Sequence, residues 1–280
     1  MSGLTEIERV KMCEGWLVTY EHESNSNQCV MRFSVFLPPQ AEHGKVPGLY
    51  FLSGLTCTDE NFMVKAGAQS HAAEHGIALI APDTSPRGDE VPDDPDAYDY
   101  GKGAGFYVNA TEDPWATHYQ MYNYVVNELP ALIESELPID ARRSVTGHSM
   151  GGHGALIVAL KNPGHYRSVS AFAPICAPTQ CPWGEKIFSG YLGGIEAGRE
   201  YDAVQLIGSA EEKLTLLIDQ GDDDEFLVEQ LKPQLLEAAC QQNDHPLDLR
   251  MRSGYDHSYF FIQTFIGDHI AHHAAALHSE

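Results

Sequence analysis

Basic side chains are scarce in this chain. Lys and Arg total 17 against 40 Asp and Glu, a formal net charge of −23. A groove that follows nucleic-acid phosphates needs clustered positive charge, so nucleic acid is excluded as an expected partner. The acidity reads as a solubility device. No apolar run reaches the roughly 18–20 residues of a membrane span, so no membrane association is expected. The first segment, MSGLTEIERVKM, lacks the apolar core of a secretion signal, which makes the cytoplasm the expected location. Cysteine is sparse as well: positions 13, 29, 57, 176, 181 and 240, with no CxxC spacing. Cys176 and Cys181 flank APTQ, and without a secretion signal all of these are expected to be thiols. Repeats, low-complexity blocks and linkers are also missing.

What remains is a chain of 280 residues, 43% hydrophobic, sized for one α/β domain over 1–280. Strand-like runs at 31–37, 48–54, 77–83, 142–147, 168–174, 213–221 and 247–252 alternate with helix-like segments. The helices are expected at 61–76, 115–137 (with a kink at Pro130), 151–163, 225–243 and 258–278. Residues 84–114, rich in Pro, Gly and Asp, read as a long loop. Such alternation predicts a largely parallel sheet covered by helices on both faces.

One stretch carries the chemistry. Gly147-His148-Ser149-Met150-Gly151 fits G-x-S-x-G between a predicted strand and a predicted helix. A strand that turns sharply into a helix puts the serine at the apex, and glycines on either side remove collisions with neighbouring chain. Gly152 and Gly154 extend the small-residue face, and the helix N-terminus favours negative charge developing near Ser149.

A serine nucleophile needs a base, and the base needs an orienting acid, in the chain order Ser, acid, His. His257, just after the strand LDLRMR, lies where ligands gather in open α/β sheets. His148 and His153 border the nucleophile and are expected to shape the site. His269, His272 and His273 share a face of the last predicted helix and read as solvated, with no acidic partner to complete a metal site. The acid falls within Asp222, Asp223 and Asp224, which side-chain chemistry alone does not separate. Asp256 adjoins His257, but adjacent side chains in extended chain point apart. The oxyanion hole needs two backbone N–H groups, expected from Met150, after the nucleophile, and from Leu55, after the second strand.

The motifs FLSGLTCTDENF, APDTSPRG, GAGFYVNATEDPW, GHSMGGHGAL, SAFAPICAP, CPWG, FSGYLGG, DQGDDDEFL and GYDHSYFFIQTFIGDHIAHH occur in this order. Together they resemble the S-formylglutathione hydrolase (esterase D) family over roughly residues 15–273. The resemblance implies an α/β-hydrolase fold, no cofactor or metal, a homodimer, and cleavage of S-formylglutathione to formate and glutathione in formaldehyde removal. It also implies side activity on short carboxylic esters. Carried over position by position, it implies Ser149, Asp224 and His257 as the catalytic set and Leu55 and Met150 as oxyanion donors. It further implies a thiol-sensitive Cys57 and a site tryptophan at Trp183. Asn109 stands where relatives often have Asp, and Asp222 and Asp223 make the acid loop unusually negative. A broad short-chain carboxylesterase, or an acyltransferase using an alcohol in place of water, would use the same elbow. Lys65, Arg87, Lys102 and Lys186 are the candidate cations for the anionic glutathione moiety.

Overall fold

The computed structural model describes residues 3–279. Nine strands form one sheet in the order β1-β2-β3-β5-β4-β6-β7-β8-β9. These are β1 Thr5–Met12, β2 Gly15–Ser24, β3 Cys29–Leu37, β4 Val46–Leu52, β5 Ala78–Pro82, β6 Ile139–Gly147, β7 Val169–Phe172, β8 Leu216–Gly221 and β9 Leu247–Arg252. From β5 to β9 every neighbouring pair is parallel. The edge β1-β2-β3 runs antiparallel and joins β5 antiparallel. The fold is therefore the mostly parallel α/β sheet expected from the alternation, extended by an antiparallel edge. β1 escapes the strand reading because it is exposed along nearly its whole length, so its polar sequence lacks an apolar face, and β2, mostly buried, goes unread beside it.

Three predicted helices are corrected. The segment 61–76 is two helices, α1 Asp59–Lys65 and α2 Ala68–His75. Gly67 between them sits at φ 66, a left-handed conformation that breaks the helical run. The helix expected from 115 begins only at Met121 and runs over 121–136 as α3. Asn109 helps to start it, its Oδ1 accepting from Asn123 N at 2.9 Å. A π-turn, Tyr124–Glu128, precedes Pro130, so the lost proline N–H is absorbed by a widened turn. The segment 225–243 divides at Lys232, φ 51, into a π-turn Leu227–Leu231 and a helix Pro233–Gln242.

Three further helices frame the site: α4 Met150–Lys161, α5 Pro182–Leu192 and the closing α6 Tyr259–Leu277. α4 is buried from Met150 through Leu160, which fits its position against β4, β6 and β7. α6 carries the histidines that read as solvated, and here the structure differs. His269 and His273 are fully buried, and His272 is half-buried. His273 bonds Ser168 Oγ and Ser170 Oγ, each at 2.7 Å. His269 bonds Ser170 Oγ at 2.8 Å and faces Asp219 Oδ2 at 3.3 Å, and Arg252 pairs with the same carboxylate. Burial pushes the pKa of both imidazoles down, so they are neutral hydrogen-bonding spacers between α6 and the sheet. An acidic partner does exist, but each ring nitrogen of His269 and His273 already has a protein partner.

Candidate active site

The carboxyl ends of β4, β6, β8 and β9 point to one cavity of about 330 Å³. Its lining includes Leu55, Cys57, His148, Ser149, Trp183, Phe226 and His257. This is where ligands are expected on an open parallel sheet.

Ser149 occupies the turn from β6 into α4 with φ 57 and ψ −118. That conformation costs a non-glycine residue on the order of 1–3 kcal/mol. Two hydrogen bonds hold the turn: His148 N to Leu52 O on β4 and Ser149 N to Phe172 O on β7, both 3.0 Å. The glycines are obligatory. A Cβ on Gly147 would lie 2.1 Å from Gly151 O, and one on Gly151 would lie 1.9 Å from Leu52 O. The spacing G-x-S-x-G is thus a record of how closely the turn passes β4.

Of the three aspartates after β8, only Asp224 is buried; Asp222 and Asp223 face solvent. Asp224 Oδ2 accepts from His257 Nδ1 at 2.6 Å and from Gln220 Nε2 at 3.2 Å, while Oδ1 accepts from Phe226 N at 2.9 Å. His257 therefore carries its proton on Nδ1, leaving Nε2 as the basic nitrogen. The loops bearing these residues are joined by Asp222 N to Arg252 O, Asp223 N to Tyr255 O and Gly254 N to Asp222 Oδ1. Asp256 turns away and accepts from Ser258 N and Oγ, and Ser258 in turn caps α6 by accepting from Phe260 N.

Several amides around Ser149 are already paired. Thr56 N donates to Gly103 O, Ser149 N to Phe172 O and Gly151 N to His148 O. Among the described residues, the Leu55 and Met150 amides, like that of Gly54, make no such backbone bond. Two free donors beside Ser149 suit an incoming negative oxygen.

His148 is 5% exposed, with its ring 4.5 Å from that of His257. Burial, reinforced by His257, holds its pKa well below the usual imidazole range. It is a neutral wall of the site, as the sequence suggests. Cys57 lines the cavity, but burial raises its thiol pKa, an effect that the neighbouring Tyr259 hydroxyl and Lys65 only partly offset. The thiol is therefore mostly protonated at neutral pH, which slows alkylation. Trp183 is buried at the start of α5 against Phe226, ring centres 4.9 Å apart, and Phe226 stands edge-on to His257. His153 lies outside the lining, beneath the elbow, bonded to Phe106 O.

The candidate cations separate clearly. Lys65 lines the cavity. Arg87 is paired with Asp83 and braces Cys57 O, Lys186 is paired with Asp99, and Lys102 is not among the lining residues. Gln220 is the functional neighbour that sequence reading misses, because a glutamine inside an apolar strand has no distinguishing pattern.

Residues 24–272 match the family described as "Putative esterase". An S-formylglutathione hydrolase from Mus musculus is 56% identical over 99% of this chain and 100% of its own. One from Rattus norvegicus is 55% identical over 99% of both chains. A solved S-formylglutathione hydrolase from Agrobacterium tumefaciens superposes with a TM-score of 0.95 at 46% identity, covering 98% of this chain and 99% of that one. A strained serine elbow on a mostly parallel sheet, shared over nearly the whole length with these relatives, leads to one assignment: the chain belongs to the S-formylglutathione hydrolase family of esterases.

Proposed function

We propose that the chain hydrolyses S-formylglutathione to formate and glutathione through Ser149, His257 and Asp224. The observation that carries this reading is the 2.6 Å bond from His257 Nδ1 to buried Asp224, made in the cavity that also holds Ser149. Ser149 Oγ attacks the formyl carbon while His257 Nε2 takes its proton. Asp224 fixes the imidazole tautomer and stabilises the imidazolium. The Leu55 and Met150 N–H groups receive the oxyanion. The C–S bond then breaks and the glutathione sulfur departs with the electron pair, taking a proton from His257. Water, deprotonated by His257, attacks the formyl-serine ester, and formate leaves as Ser149 recovers its proton. Every step runs through groups of this chain.

The proposal extends to a place in formaldehyde removal, after a separate oxidation has brought the formaldehyde–glutathione adduct to the formyl thioester, to a cytoplasmic homodimer, and to one domain spanning 1–280. The continuous nine-stranded sheet supports the last. Among the described residues no helix is long and apolar enough to cross a membrane.

The acyl side of the cavity supplies a test. Phe226 packs against His257 and Trp183 against Phe226, so bulky rings border the acyl side, as a small acyl group would require. Turnover of p-nitrophenyl esters is expected to fall from acetyl to butyryl to octanoyl, because longer chains must clear the Phe226 and Trp183 rings and each methylene can be worth about 1–3 kcal/mol. Steady-state kcat/KM across that series checks it. An optimum at butyryl or longer would favour a broad carboxylesterase instead.

A further inference from the structure

The cavity lining is chemically unusual for this chain. Asp and Glu total 40 of 280 residues, yet among the described residues no carboxylate lines the cavity, and Lys65 is the one Lys or Arg that does. Lys65 is the last residue of α1, which begins with a Thr58–Asn61 capping box and stops before the left-handed Gly67. The helix therefore ends at the cavity rim with its side chain exposed. Its Nζ lies 5.6 Å from the centre of the Tyr259 ring, a cation–π contact that orients the stem without neutralising the charge. Among the described residues Lys65 has no carboxylate partner, in contrast to Arg87, Lys161 and Lys186, which pair with Asp83, Glu200 and Asp99.

An anionic substrate approaching a protein of net charge −23 meets a repulsive field, and an unpaired cation at the cavity rim offsets part of it locally. We propose that Lys65 is the charge-recognition residue for the leaving group: its ammonium pairs with a carboxylate of the glutathione moiety, so the cavity selects anionic thioesters over neutral esters of the same acid. This rests on the reading that the substrate is a glutathione thioester. This one ion pair is made alike in the bound substrate and in the transition state, so its loss falls on KM more than on kcat. The pair is partly solvated, and truncation costs a few-fold, not several orders of magnitude.

The test measures kcat and KM for S-formylglutathione and p-nitrophenyl acetate in wild type, Lys65→Ala, Lys65→Glu and Lys65→Arg, at low and high salt. Lys65→Ala should lower the ratio of kcat/KM for the thioester to that for the ester by roughly fivefold, mainly through KM. Lys65→Glu should lower it further, Lys65→Arg should restore it, and added salt should narrow the gap between wild type and Lys65→Ala. As a second readout, S-methylglutathione should inhibit wild type better than its bis-amide, and that difference should vanish in Lys65→Ala. An equal loss on both substrates would assign Lys65 to packing on Tyr259 and overturn the proposal, as would an unchanged ratio. Wild type that fails to turn over S-formylglutathione would overturn the functional reading and this inference together. Efficient wild-type turnover with an unchanged ratio would overturn this inference alone.

Discussion

Ser149→Ala is expected to lower kcat on S-formylglutathione by about 10⁶, because a missing serine nucleophile has no substitute among the remaining groups. The change is structurally mild. Ser149 is 3% exposed, and its hold on the turn is a backbone bond, Ser149 N to Phe172 O, which alanine retains. The φ of 57 is imposed by the clamped elbow and costs alanine much what it costs serine. Thermal unfolding should therefore stay near that of wild type while turnover disappears. Residual hydrolysis would come from the oxyanion donors and binding alone. A folded Ser149→Ala protein retaining more than about 1% of wild-type kcat would contradict the assignment, since a loss that small is far from the one expected of a nucleophile.

Asp224→Asn is expected to lower kcat by about 10⁴. Asparagine preserves the shape but presents an amide N–H where the imidazole N–H must dock. The ring then turns to the wrong tautomer or loses its orientation. The adjacent aspartates should respond differently. Asp223 is exposed, and Asp222 uses Oδ1 only to accept from Gly254 N, a role the asparagine oxygen can fill. Asp222→Asn and Asp223→Asn are each expected within about threefold of wild type, the range of exposed substitutions. Measuring kcat for the three variants side by side checks the assignment. A crippled Asp223→Asn beside an active Asp224→Asn would move the acid by one residue.

That trio shows where the sequence stops being legible. The elbow is readable because close approach to Leu52 and Gly151 admits only glycine, so the geometry leaves a mark on the sequence. His257 is readable from its place after a strand. Three identical aspartates carry no such mark. Asp224 is selected by amides from Gln220 and Phe226 and by the pinning of two loops, interactions that exist only once β8 and β9 are paired. The same holds for His269 and His273. Their i, i+4 spacing on a helix is compatible with either solvent or core, and the hydroxyls that make burial tolerable come from Ser170 on β7 and Ser168 just before it, about 100 residues earlier. Lys65 is indistinguishable from other surface lysines until the fold leaves it alone on a cavity without carboxylates. The exposed edge strand β1 escaped because half-burial, the source of period-two patterning, is absent there.

The central claim is that the remote glutathione moiety helps to drive hydrolysis of its formyl thioester. The most direct measurement is kcat/KM of the purified protein for S-formylglutathione and for p-nitrophenyl acetate under one set of conditions. Binding energy from the tripeptide positions the thioester at Ser149, so S-formylglutathione is predicted to be the better substrate, with a gain in kcat as well as a lower KM. A kcat/KM for S-formylglutathione at or below that for p-nitrophenyl acetate would contradict the account and leave a general esterase in its place.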